Sequence, residues 1–161
     1  MLAYNHLLFA LGGYTFYSNQ ASNVLELLIG ASMAVVGGLM PDIDHPRSWI
    51  GHRLQGISSM ISMLFGHRNL FHSPIALIII LGLSWYIFQG SIFVFVSNAF
   101  CLGYFTHLFG DWITHRGIPV FWPIKKKFRA PLSFRTGGII EHGLALFFIV
   151  MAMWANWQWL T

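Results

Sequence analysis

Residues 92–112 read IFVFVSNAFCLGYFTHLFGDW. As a helix rising about 1.5 Å per residue, a run of this length spans the roughly 30 Å hydrocarbon layer of a bilayer. It carries no charge until Asp111 near its end, where His107 and Asp111 stand four residues apart. That spacing puts both on one helical face about 6 Å apart, which is how helices present paired ligands; a satisfied buried pair has the same spacing.

Four further apolar segments flank this one, at about 2–17, 24–40, 75–88 and 139–160. The first two lie near the lower length limit for a span, and the third gains length if it begins near Phe71. Gly12–Gly13 and Gly37–Gly38 suit close helix–helix contact. Trp154, Trp157 and Trp159 suit a membrane interface. Between the second and third segments, Ile50, Leu54, Ile57, Ile61 and Leu64 recur at helical steps beside Arg53, Gln55, Ser58 and Ser59. This predicts an amphipathic helix over 49–65, lying on the membrane surface or packed across the bundle end.

Composition supports the same solvent. Of 161 residues, 56% are hydrophobic and 9% charged, against about 25% charged in soluble domains. Mean hydropathy is +0.63, and aromatics reach 17% with 7 Trp. The expectation is one all-α domain over 1–161, a polytopic membrane helix bundle of about five spans with an interfacial amphipathic helix. Cys101 has no partner for a disulfide and reads as a small buried hydrophobe. The first residues lack a basic leader and are interrupted by His6, so no cleavable signal peptide is expected.

The net charge of +4 is distributed in a way that orients the chain. Arg47, Arg53 and Arg68 fall between segments two and three. Arg116, Lys125, Lys126, Lys127, Arg129 and Arg135 fall between four and five, and the remaining connections hold no Lys or Arg. The positive-inside rule places both long loops and the N-terminus in the cytoplasm and the C-terminus outside. Lys125–Lys127 with Arg129 read as a patch against anionic lipid.

Chemistry-bearing residues concentrate at that same end. Pro41-Asp42-Ile43-Asp44-His45 follows the second segment directly: two carboxylates and an imidazole in a compact ligand set, or a turn built from helix-stop residues. His67 and His72 precede Pro74, which marks a helix start. His6 and Glu141 lie near the cytoplasmic starts of segments one and five. Glu141 also fits as an acid in a first helical turn. His45, His52, His115 and His142 are more peripheral, and Glu26 lies at the opposite end. An N/O donor set of six or seven without Cys suits two closely spaced divalent ions better than one structural zinc. Zinc leads the candidates, with manganese, iron or magnesium as others of the class.

The strings LMPDIDHPRSWIGHRL (39–54), FGHRNLFHS (65–73) and GYFTHLFGDWITHRGIPVFWPIKKKFRAPL (103–132) resemble the YdjM-like inner-membrane proteins. That family is described as membrane-bound metal-dependent hydrolases, some under LexA control, which implies a bacterial inner-membrane location and a link to the stress response. The resemblance implies His6, Asp42, Asp44, His67, His72, His107 and Asp111 as metal ligands, with Glu141 as a further site residue. A weaker similarity is to zinc-dependent phospholipase C and related nucleases, which carry an HxxxD pair and a second HxxxE helix. Here Gly137 stands four residues before Glu141, which argues against a three-metal site.

The reading is a metal-dependent hydrolase of a phosphoester in a lipid or lipid-linked substrate at the cytoplasmic leaflet. Asp44 and Glu141 are its candidate catalytic carboxylates. Arg68, with Arg116, is a candidate phosphate-binding fork. The alternative is a non-enzymatic metal-binding or transport protein. No HExxH occurs, which removes the usual zinc-protease grammar. The basic residues adjoin membrane segments, so nucleic acid is not an expected partner.

Overall fold

The computed structural model describes residues 1–157. Its helices are α1 (Ala3–Thr15), α2 (Val24–Leu39), α3 (Trp49–Arg53), α4 (Gln55–Phe65), α5 (Pro74–Ile87), α6 (Ser91–Trp112) and α7 (Ile139–Trp157). Among the described residues there is no strand. The loop between α6 and α7 makes two isolated bridges, Thr114 with Phe134 and Ile118 with Phe128. That loop folds back over the end of α6, where the Ala130 N–H donates to the Trp112 carbonyl at 2.9 Å.

Two stretches, Val24–Asp44 and Ile92–Trp112, are long and apolar enough to cross a membrane, each 21 residues. Pro74–Ile87 and Ile139–Trp154 are shorter apolar helices. The apolar periodicity over 49–65 is split into two helices at Leu54, whose φ of −113° and ψ of 43° interrupt the ladder. Of the expected tryptophan cluster, Trp154 is exposed, only the backbone of Trp157 is described, and Trp159 lies outside the described residues.

The bundle is organised around α6, which packs against α1, α2 and α5, while α7 lies along α1. The tightest seam joins α2 and α6 through small residues. A Cβ on Gly37 would strike the Phe100 carbonyl, and one on Gly103 would strike the Ala34 carbonyl. Each helix thus rests its backbone in the other's glycine notch, a contact driven by dispersion where lipid supplies no hydrophobic force. Gly12 and Gly13 serve likewise against Phe148 of α7 and Thr106 of α6. The outer faces carry Leu25, Ile78, Trp85, Tyr86 and Phe147, all strongly exposed, as lipid-facing residues would be. Cys101 is buried and free.

Because backbone rather than a flexible side chain opposes it, Gly103→Ala must push α2 from α6. The expected cost is about 1–3 kcal/mol of stability, the range for overpacking. Thermal melting in detergent measures it, and an unchanged midpoint would contradict the seam.

Candidate metal centre

The chain leaving α2 does not stop at Pro41. It tightens into a 3-10 turn over Met40–Asp44, with Pro41 in its first turn, where a missing N–H costs nothing. The tighter pitch carries Asp42 and Asp44 inward, and Asp44 is fully buried. Ser48 pins the exit: its hydroxyl donates to the Asp42 carbonyl at 2.7 Å and accepts from the Gly51 N–H at 2.9 Å to cap α3. A second 3-10 turn, Leu70–His72, delivers His72 to the same place. It ends at Ser73, which caps α5 ahead of Pro74.

Five helix ends therefore meet: the starts of α1, α5 and α7 and the exits of α2 and α6. Two ligand-capable triads form there, His6–His107–Asp111 and Asp42–His72–His107, with donor atoms in each within 4.8 Å of one another. All five residues are buried. The His6 and His107 rings stack with centroids 3.7 Å apart, and the His72 ring meets His107 edge-on at 5.4 Å.

Hydrogen bonds fix which nitrogens face inward. His107 Nδ1 lies 2.7 Å from the Gly38 carbonyl, which only accepts, so Nδ1 carries the proton and the Nε2 lone pair is free. His72 Nδ1 donates to Asp44 Oδ2 at 3.2 Å, leaving Nε2 3.4 Å from Asp42 Oδ1 and 3.8 Å from Asp111 Oδ2. His6 Nε2 lies 3.4 Å from Asp111 Oδ1, which the Met1 ammonium also contacts. The result is a knot of buried polar atoms without hydrogen-bond partners: both His6 nitrogens, His72 Nε2, His107 Nε2, Asp42 Oδ1, Asp44 Oδ1 and Asp111 Oδ2. Native interiors pair such atoms. Imidazole lone pairs beside carboxylate oxygens form the donor set of a divalent cation, so the residues fit the metal their chemistry implies.

Asp44 and His67, also expected as ligands, stand outside both triads. Asp44 Oδ2 accepts from the Arg68 backbone N–H at 3.0 Å as well as from His72, the carboxylate–histidine pairing that orients a ligand ring. His67 is 42% exposed, with Nδ1 3.5 Å from Asp44 Oδ1. Arg68 holds a left-handed backbone, φ 55°, which costs a non-glycine residue about 1 kcal/mol or more. The bond to Asp44 offsets that cost, and the turn brings its guanidinium 3.2 Å from Asp111 Oδ2.

The structure does not bring Glu141 into the triads. It is buried, and its oxygens accept from Leu2 N at 2.7 Å, Asn5 Nδ2 at 2.6 Å and Gly137 N at 2.9 Å. It ties the start of α1 to the start of α7. Asn5, buried one position before His6, is a site-supporting residue that sequence reasoning missed. A polar residue inside an apolar helix was its signal. His52 and His115 are exposed, and His142 bonds Tyr4 and Asn5 away from the knot. Glu26 lies at the far end, accepting from Ser22 N in the first turn of α2.

Burial disfavours the charged ring of His72, but Asp42 and Asp44 outweigh it and hold its pKa at about 9. Burial and nearby Arg68 draw the pKa of His45 and His67 below the ordinary imidazole value. For His72 the raised pKa means that its ion pairs stabilise the fold fully below about pH 6.5 and fade as pH rises through about 9. A divalent ion must displace that proton. Loading metal at pH 7.5 is expected to release about one proton from His72, and progressively less above pH 9. Calorimetric titration in two buffers of different ionisation enthalpy reads the number. A heat independent of buffer at pH 7.5 would show His72 already neutral.

The full chain, residues 1–161, matches the family described as YdjM inner membrane protein. The inner membrane proteins YdjM of Escherichia coli (strain K12) and of Shigella flexneri are each 32% identical to it, over 96% of this chain and 82% of theirs. The YvsG protein of Bacillus subtilis (strain 168) is 35% identical over 70% of this chain and 68% of its own. No solved structure matches.

Proposed function

The chain belongs to the YdjM inner membrane protein family, and from the ligand cluster in its structure we propose that it is a membrane-bound metal-dependent hydrolase of a phosphoester in a lipid or lipid-linked substrate. In this reading all five apolar helices cross the bacterial inner membrane, with the N-terminus and the site on the cytoplasmic side. The observation that carries it is the knot of buried imidazole and carboxylate atoms left without hydrogen bonds at one end of the bundle.

His6, Asp42, His72, His107 and Asp111 would hold the metal, which when bound lowers the pKa of a coordinated water and neutralises phosphoryl oxygens. Two ions would have to divide these donors, because His107 has one free lone pair for the two triads that share it. Zinc suits an imidazole-rich set, and manganese, iron or magnesium are the other candidates. Asp44 orients His72 through one oxygen and keeps Oδ1 free of hydrogen bonds. That free oxygen would accept a proton, and His67, half open to solvent with Nδ1 3.5 Å away, would carry the proton outward. Arg68 directs its guanidinium at the cluster and would hold a phosphoryl oxygen in line.

The test is hydrolysis of phospholipids and simple phosphoesters by detergent-purified protein with added divalent metal. Turnover lost on chelation supports the reading. Metal-loaded protein with no turnover on any of these substrates would favour the alternative, a non-enzymatic metal-binding or transport protein.

A further inference from the structure

Next to the carboxylate-rich knot lies a cavity of about 340 Å³ with the opposite character, lined by His45, His67, Arg68, Arg116 and Lys127. No carboxylate is among its lining residues. The cations come from separate stretches, Arg68 ahead of α5 and the other two from the loop after α6. Arg116 and Lys127 are exposed enough to turn into water, yet both border one hollow. Like charges gathered in this way repel unless an anion sits among them.

The inner wall is built rather than accidental. Arg68 is only 7% exposed and is fixed from behind by its backbone bond to Asp44 and its contact with Asp111. His67 stacks on His45 with centroids 4.0 Å apart and reaches Asp44 from the other side. The residues that close the ligand cluster therefore also face the cavity. Guanidinium forks, an ammonium and imidazole N–H groups around one hollow match the charge and acceptor geometry of a phosphate group, and the hollow has room for one together with part of the group that carries it. Lys125 and Lys126 do not border it, which separates Lys127 from a diffuse lipid-facing patch.

We propose that this cavity is a phosphate-group subsite beside the metal centre, with Arg116 and Lys127 as its outer cations and Arg68 as the wall shared with the cluster. The ligand chemistry is a phosphate monoester or free phosphate. Its place in catalysis rests on the hydrolase reading above, whereas the binding itself needs only these side chains.

The experiment titrates inorganic phosphate into the detergent-purified protein at low salt, by calorimetry, with metal content measured on the same samples. Wild type is expected to bind phosphate, and Arg116→Ala and Lys127→Ala each to weaken it about tenfold. Lys125→Ala, the same change in net charge outside the cavity, should leave the affinity within about twofold. No binding by wild type, or equal weakening by Lys125→Ala, overturns the subsite. Protein that holds metal but no phosphate refutes the subsite and leaves the metal centre standing; phosphate binding by protein that neither holds nor takes up metal does the reverse. A parallel arm adds nanodiscs of phosphatidylcholine with or without phosphatidic acid. Competition only by the phosphatidic acid discs supports the subsite with a lipid headgroup as occupant. Phosphate binding indifferent to both supports it with a water-borne phosphate.

Discussion

Replacing His107 with alanine is expected to weaken metal binding by more than about 100-fold. The reason is that His107 alone belongs to both ligand triads. Its Nε2 has no other partner, and the Gly38 carbonyl has already set the tautomer. Loss of an outer partner typically costs 10–100-fold in metal affinity, and loss of a direct ligand should exceed that. The ring is fully buried between His6 and His72, so alanine also leaves a cavity. His107→Gln, which keeps much of the volume, separates the two effects. Both variants should lose metal, while the glutamine form should melt closer to wild type. Elemental analysis and thermal melting report the two quantities, and metal retained at wild-type level in both variants would remove His107 from the centre.

The second large effect is expected at Asp44. Asp44→Asn keeps the shape and one acceptor oxygen but removes the charge that faces His72 and the free Oδ1 assigned the proton. Turnover should fall by about 10²–10⁴-fold, the usual contribution of a general base. Metal affinity should fall by no more than about 10–100-fold, as for an outer-shell orienting group. At saturating metal the kcat loss should persist with KM little changed. If saturating metal restores kcat, Asp44 only positions His72 and the base lies elsewhere.

These two residues show what sequence could and could not reveal. Apolar length and the glycine pairs located the helices within a few residues, and the seam at Gly37 follows from the need for close approach in lipid. The acids and histidines at helix ends pointed to one end of the bundle. Spacing could not divide them into shells. Asp42 and Asp44 are two residues apart, yet the 3-10 turn sends one to the triads and the other behind His72. Glu141 sits in a first helical turn, where it accepts N–H groups from Leu2 and Gly137, because the start of α1 lies against it. That pairing joins residues at opposite ends of the chain and leaves no local trace. The break falls at Leu54, between Gly51 and Gly56 and at neither, so the glycines do not mark its place, and the cationic cavity forms only when the loop after α6 folds back over the end of α6.

Elemental analysis of protein purified in detergent without chelator decides whether this end of the bundle holds a divalent metal. Zinc, manganese, iron or magnesium is expected at about one ion or more per chain, lost together with His107. Protein that carries no metal as purified, and takes up none when dialysed against these ions, would contradict that expectation.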